Sequence, residues 1–283
     1  MRRPYLVYRP IPVQCLVSMQ STIQARRTMS SVGEQTPGRR ARLRAQTTAE
    51  IQAIALRHMA EGGPDAISLR AIAREMDMSG SAIYSYFATR DALIARLIND
   101  VYTSLMDEVE IARDALPPDD IAGRILALGQ AVRRWSVANP ERFRLIYDHP
   151  APGHHAPGDG STFDAAKRAC LALTELVAAA WPHAEPVQPV GDHQWSDFAP
   201  DLVTAVRDAF PELPPAGVAL AMRVWGRMHG LVALEVHGHL GLLTNDPAEL
   251  YRVELLDLIR SLGLGQDIDR PGISKSASRT PPH

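Results

Sequence analysis

Lysine is almost missing from this chain. Only Lys167 and Lys275 occur, and the other 28 of its 30 basic residues are arginine. A phosphate-binding loop of the G-x-x-x-x-G-K-[ST] kind needs a lysine after its glycines, and neither lysine follows such a run, which removes that class of nucleotide hydrolase. Cysteine is as scarce. Cys15 and Cys170 lie far apart, so they make neither a disulfide framework nor a paired ligand motif, and the chain is expected in the reducing cytoplasm. There is no G-x-S-x-G elbow and no H-E-x-x-H pair, so common hydrolase and metalloprotease signatures are absent. No apolar run approaches the ~18 residues of a membrane span. Charge is nearly balanced at −2, so the molecule as a whole does not attract polyanions, and any nucleic-acid surface must be local. Aromatic residues make up only 6%.

What is present is apolar substance. The 283 residues are 46% hydrophobic, enough to bury a core in one or two domains. Residues 1–40 do not contribute to it by pattern: they carry Pro4, Pro10, Pro12 and Pro37 and hydrophobics without a period. This extension is expected to be disordered; it faintly resembles a transit peptide, and Met19 and Met29 offer later starts. Arg39, Arg40, Arg42 and Arg44 then form a basic arm before the first helical pattern. Such an arm is either solvated charge or a tracker of DNA phosphates and the minor groove.

Helical periodicity starts at Thr48, which reads as an N-cap before Ile51, Ile54, Ala55 and Met59, with Gly62-Gly63-Pro64 as the stop. Ser68 then caps a short segment whose Leu69, Ile72, Ala73 and Met76 form one stripe, ending at Asp77. Ser79 caps the next segment and Thr89 caps a long helix from Arg90. Helix, short turn, helix is how a helix-turn-helix unit is built.

Between the last two caps lies SGSAIYSYF, residues 79–87, with three of the scarce aromatics and no charge. A helix that enters the major groove must be slim where it meets base edges and anchored behind. Gly80, Ser81 and Ala82 keep its first turn small; Ile83 and Phe87 face inward onto Leu69 and Ile72. Tyr84 and Tyr86 are left to send hydroxyls outward as neutral donors to phosphate oxygens. Taken alone, two tyrosines at helical spacing would be packing residues. Their arrangement among fixed caps and turns changes that.

The segment ISLRAIAREMDMSGSAIYSYFATRDALI, within residues 48–97, resembles the DNA-binding domain of the TetR family of transcriptional regulators. It departs in one place: Asp77 stands where the family's turn usually has glycine, and aspartate tolerates the left-handed conformation better than most residues. The resemblance implies that Ser68, Tyr84, Tyr86 and Arg90 contact phosphates, with Ser79 and Ser85 beside them. It implies that Arg70, Gly80, Ser81 and Ala82 face the bases, and Arg42 and Arg44 extend the contact from the arm. Of the base-facing set only Arg70 can make a bidentate pair with guanine; the alternative for it is a solvated surface arginine.

The remainder reads as helical throughout: 121–138, 141–148, 163–181, 201–210, 215–240 and 248–264, with a turn-rich loop at 151–162 and a proline-rich connection at 182–200. Gly226, Gly230 and Ala233 make a small-residue stripe for close helix approach, with Val224, Leu231 and Leu234 as apolar cover. The Trp225-x-x-x-His229-Gly230 element, LEVHGHL and RFRLIYDHPAPGHHAP are similar to an actinobacterial-type subgroup of the same family. That resemblance implies a homodimer through the last two helices.

Histidines raise a metal reading, with His149, His154, His155 and Asp159 in one loop and His229, Glu235, His237 and His239 along one helix. Only i, i+3 or i+4 pairs share a helix face, so structural or pocket roles are preferred, and neither metal nor cofactor is expected.

The sequence is therefore expected to be all-α. Residues 1–40 form an extension, 41–97 a three-helix helix-turn-helix domain, 98–265 a helical-bundle domain for ligand and dimer, and 266–283 a disordered tail. The expected function is a non-enzymatic repressor that binds a palindromic double-stranded DNA operator as a dimer and is released by a small apolar effector. Trp135, Phe143, Tyr147, Trp225, Met228 and His229 are the expected effector contacts. The alternatives are a helical small-molecule-binding protein without operator binding, or an enzyme built on His229 with Glu235 or Asp164.

Overall fold

A computed structural model describes residues 38–148, 161–189 and 191–265. Of the extension expected to be disordered over 1–40, residues 1–37 lie outside the described residues, as do 266–283 and the loop residues His149, His154, His155 and Asp159, while Arg39 and Arg40 are helical. Among the described residues all regular structure is helical: α1 (Arg39–Gly62), α2 (Leu69–Glu75), α3 (Gly80–Tyr84), α4 (Arg90–Asp114), α5 (Ile121–Ala138), α6 (Pro140–Tyr147), α7 (Ser161–Ala184), α8 (Pro200–Ala209), α9 (Pro215–Val236) and α10 (Pro247–Ser261). Short 3-10 turns join some of them.

Several boundaries differ from the sequence expectation, and α10 ends at Ser261 rather than at 264. α1 begins at Arg39 rather than after Thr48, so the basic arm is helix. Thr47 and Thr48 are interior residues whose hydroxyls donate back to the Leu43 and Arg44 carbonyls at 3.0 and 2.8 Å; a threonine that can return its hydroxyl to the preceding turn does not need to cap. α7 runs through Pro182 to Ala184, although the proline gives up one bond of the ladder there. α9 stops at Val236 rather than near Leu240. There Gly238 takes φ 78°, its N–H donates to Glu235 and the His239 N–H to Leu234, each at 2.9 Å, the glycine-ended termination that satisfies the last carbonyls.

The helix-turn-helix is assembled as its caps suggest. The Ser68 hydroxyl accepts from the Ala71 N–H, Ser79 from Ala82 and Thr89 from Ala92, at 3.4, 3.2 and 3.0 Å. Asp77 bridges α2 and α3 at φ 52°, so aspartate does occupy the left-handed turn. Ile51, Ala55, Met59, Leu69, Ile72, Ile83, Phe87 and Leu93 all join one buried core. Burying side chains of this size stabilises by about 1.5–3 kcal/mol each before entropy is charged against it.

α4 crosses the expected 97/98 boundary without a break and is buried along its length from Leu93 to Val109. It packs on α5 and α7, α5 packs on α10, α7 on α9, and α6 touches both α1 and α4. One continuous core therefore links the helix-turn-helix to the bundle. Ion pairs tie the bundle's helices: Arg133 chelates Glu235 between α5 and α9 at 2.7 and 2.5 Å, and Arg227 holds Glu254 and Asp257 of α10. A satellite cluster of Leu202, Val206, Leu213 and Val218 lies under α8, joined by Trp181.

Candidate nucleic-acid interface and regulatory face

The exposed side of α3 is narrow and neutral. Ser79, Gly80, Ser81 and Ser85 are exposed, Ala82 is half-exposed, and a Cβ built on Gly80 meets nothing within 4 Å. Behind them Ile83 and Phe87 are buried. Tyr84 is 45% exposed. Tyr86 differs from its neighbour: it is half-buried against the core, and the Arg44 guanidinium carbon sits 4.8 Å from its ring centre. Ser79 Oγ lies 3.1 Å from Ser81 Oγ as well as capping α3.

Arg70, on α2, is exposed and makes no side-chain bond to a described residue, as a base reader requires and a solvated arginine also permits. Arg42 is exposed in the same way on α1. Arg90 is placed differently from the expectation. Its Nε donates to the Ile67 carbonyl at 3.0 Å, with Asp65 and Asp91 beside its other nitrogens, so it braces the loop before α2 and would reach a phosphate only by sharing that role. Sequence reasoning missed this brace because the loop carbonyl it serves leaves no side-chain signal. Glu75, also unforeseen, accepts from Arg57 and lies 3.0 Å from His58, fixing α2 to α1.

Of the expected effector residues, three are buried. Trp135 and Phe143 are 1% exposed and Met228 4%; Trp135 also donates its Nε1–H to Ser104 Oγ at 3.2 Å. These side chains fill the contact between α4, α5, α6 and α9 and line neither of the two cavities described below. The periodicity that placed them inside could not tell a packed interior from a hollow one. Phe143, Tyr147, Trp225 and His229 do come together: His229 stacks on Phe143 and Trp225 at 5.3 and 5.2 Å and meets Tyr147 at 4.4 Å. The cluster runs outward from buried Phe143 to Trp225, which is 41% exposed on α9. Cavities lie elsewhere, one of about 100 Å³ beside Trp181 and Arg223 and an open cleft of about 290 Å³ between α1 and the start of α6.

Burial lowers the pKa of His229 and pushes the Tyr147 phenol far above its usual range. Tyr251 of α10 is 2% exposed and its Oη has no hydrogen-bond partner among the described residues. Since an unbonded buried hydroxyl costs about 1–3 kcal/mol, Tyr251→Phe is expected to leave the thermal midpoint unchanged or raise it; a fall in calorimetry would show that Oη is bonded.

His237 behaves oppositely to His229. Burial alone would lower its pKa, but Asp148 at 2.9 Å from Nε2 and the Ala233 carbonyl at 2.6 Å from Nδ1 raise it overall, against a smaller opposing effect of Arg144. A folded-state pKa above the unfolded value of 6.5 gives stability that is full below that value and is lost as pH rises through the folded pKa. His229, with its pKa lowered, contributes above 6.5 and loses that contribution as pH falls. His237→Gln should therefore be less stable than the parent in denaturant melts at about pH 5.5 and equal to it at about pH 8.5. Along α9 and its end, Glu235 is held by Arg133 and His237 by Asp148, and among the described residues no group of three His, Cys, Asp or Glu could hold an ion.

Residues 51–97 match the bacterial regulatory proteins of the tetR family, and residues 125–258 match the tetracyclin repressor-like C-terminal domain. The HTH-type transcriptional regulator Rv1816 of Mycobacterium tuberculosis is 33% identical over 233 residues, covering 80% of this chain and 96% of that protein. The chain belongs to the TetR family. The HTH-type transcriptional regulator Mb1846 of Mycobacterium bovis shows the same identity and coverage. The crystal structure of SCO4313, a protein assigned as regulatory, superposes with a TM-score of 0.56 at 33% identity, over 80% of this chain and 100% of that one. A tetR-family regulatory protein from Rhodococcus RHA1 shares the fold, with a TM-score of 0.55 at 17% identity over 77% and 97% of the two chains. This TetR-family chain is thus a DNA-binding regulator by descent, with an N-terminal helix-turn-helix and a C-terminal helical domain. No described helix is long and apolar enough to cross a membrane.

Proposed function

We propose that this TetR-family regulator is a cytoplasmic repressor that binds a palindromic operator as a homodimer and leaves it when a small apolar effector binds the C-terminal domain. The observation that carries the reading is the exposed, uncharged face of α3, with Gly80 open to approach and Tyr84 turned outward. In this reading residues 41–97 are the reader and 98–265 the regulatory domain. Gly80, Ser81 and Ala82 approach base edges, Arg70 pairs with guanine, and Ser68, Tyr84, Tyr86 and Arg42 hold phosphates.

Dimerisation is assigned to α9 and α10. Gly226 and Gly230 leave open space for a facing helix, and Met222, Leu234, Leu250 and Val253 are also exposed on α9 and α10, an apolar face that a second copy would cover. The effector is assigned to the outer part of the aromatic cluster, Tyr147, Trp225 and His229. That cluster joins α6 to α9, and Arg144 of α6 also donates to the Val236 carbonyl at 3.1 Å. Since α6 touches α1, a molecule that binds better when the joint is open would favour a different setting of the two readers.

Fluorescence anisotropy with DNA flanking the protein's own gene, titrated at several salt concentrations, tests the reading. Binding that falls steeply with salt supports it. A helical small-molecule-binding protein would show none, and an enzyme would turn over its ligand.

A further inference from the structure

The first turns of α1 have no core to rest on. Residues 39–46 are all exposed, Leu43 included at 54%, and they carry four arginines. Arg39, Arg40 and Arg42 make no side-chain bond to a described residue. Arg44 does: its Nη2 donates to the Ser85 carbonyl at 2.7 Å, across 41 residues of sequence, while the guanidinium plane lies over Tyr86.

Ser85 is the C-cap of α3, a helix of five residues. So short a helix cannot hold itself, and its last carbonyls have no intrahelical donor. The Ser85 hydroxyl does not help its own carbonyl, because it donates to Ala82 O at 2.7 Å. A cation at a helix C-terminus also meets the negative end of the dipole. Arg44 thus completes the end of the groove-facing helix and sets the plane of the tyrosine that follows it.

We propose that Arg44 is a positioning residue of the DNA reader, a cap supplied from α1 that fixes the end of α3 and the ring of Tyr86, rather than a phosphate contact. The proposal rests on the DNA-binding reading above. It separates Arg44 from Arg42, which stays available to DNA. The two roles give different salt behaviour. Removing a phosphate contact flattens the dependence of log K on log salt by about 0.9 for each chain bound. Removing a cap weakens binding at every salt concentration and leaves that slope alone.

The test uses the full chain, DNA from the region flanking its gene, and the variants Arg44→Ala, Arg42→Ala, Tyr86→Leu and the Arg44→Ala/Tyr86→Leu double. Arg44→Ala should bind about tenfold more weakly, the loss of one charge-assisted hydrogen bond, with the parent's salt slope and a thermal midpoint lowered by no more than a few degrees. Arg42→Ala should flatten the slope. The double variant should lose less than the product of the two single losses, because both remove one shared contact. A flattened slope for Arg44→Ala, or full multiplicativity with Tyr86→Leu, would each overturn the proposal while leaving the DNA-binding reading intact. A parent chain that binds no DNA would overturn both.

Discussion

Gly80→Leu abolishes specific DNA binding while leaving the protein folded: that is the expected result, and the contrast between its halves is what makes it informative. A Cβ at Gly80 meets no heavy atom within 4 Å, so the larger side chain costs the fold nothing by collision, and leucine is a better helix former than glycine. The thermal midpoint should stay or rise slightly. Against DNA the same side chain holds the first turn of α3 off the base edges. Docking then falls to the non-specific level, about a thousandfold or more weaker. Anisotropy titrations of variant and parent on the same DNA, with calorimetry alongside, measure both. Retained affinity would mean that this turn does not enter the groove.

The second large effect concerns the outer face of α9. Gly230 opens to empty space and Leu234, one turn on, is 42% exposed, so Gly230→Glu with Leu234→Glu disturbs little inside one chain. Between two chains it brings four carboxylates into an apolar contact, which costs far more than such a contact gains. The variant should sediment as a folded monomer. Its operator affinity should fall by about a hundred- to ten-thousandfold, because the second reader is no longer delivered by the first. A variant that remains dimeric would move the interface off α9.

The reader was legible in the sequence because its marks are local. Ser68, Ser79 and Thr89 each cap a helix at its start, Asp77 takes the left-handed turn at φ 52°, and the spacing of Ile72, Ile83 and Phe87 fixes which side is buried. Local marks also explain two errors. Thr48 looks like a cap and is not one, since its hydroxyl turns back to Arg44 O; Gly238, which does end α9, is itself a stop signal and lay inside the helix drawn to Leu240. The regulatory half was legible only as helices. Whether Trp135 lines a hollow or fills one depends on Ser104, 31 residues away, and no periodicity carries that. The Arg44 contact with Ser85 spans 41 residues and was likewise invisible; the sequence showed only a basic arm.

Stoichiometric titration of DNA from the region flanking the gene, followed by sedimentation in parallel, tests the account most directly. Two chains per palindromic site are expected, bound with half-sites about 34 Å apart and with affinity falling steeply as salt rises. A single chain saturating the site, or binding indifferent to salt, would contradict the account.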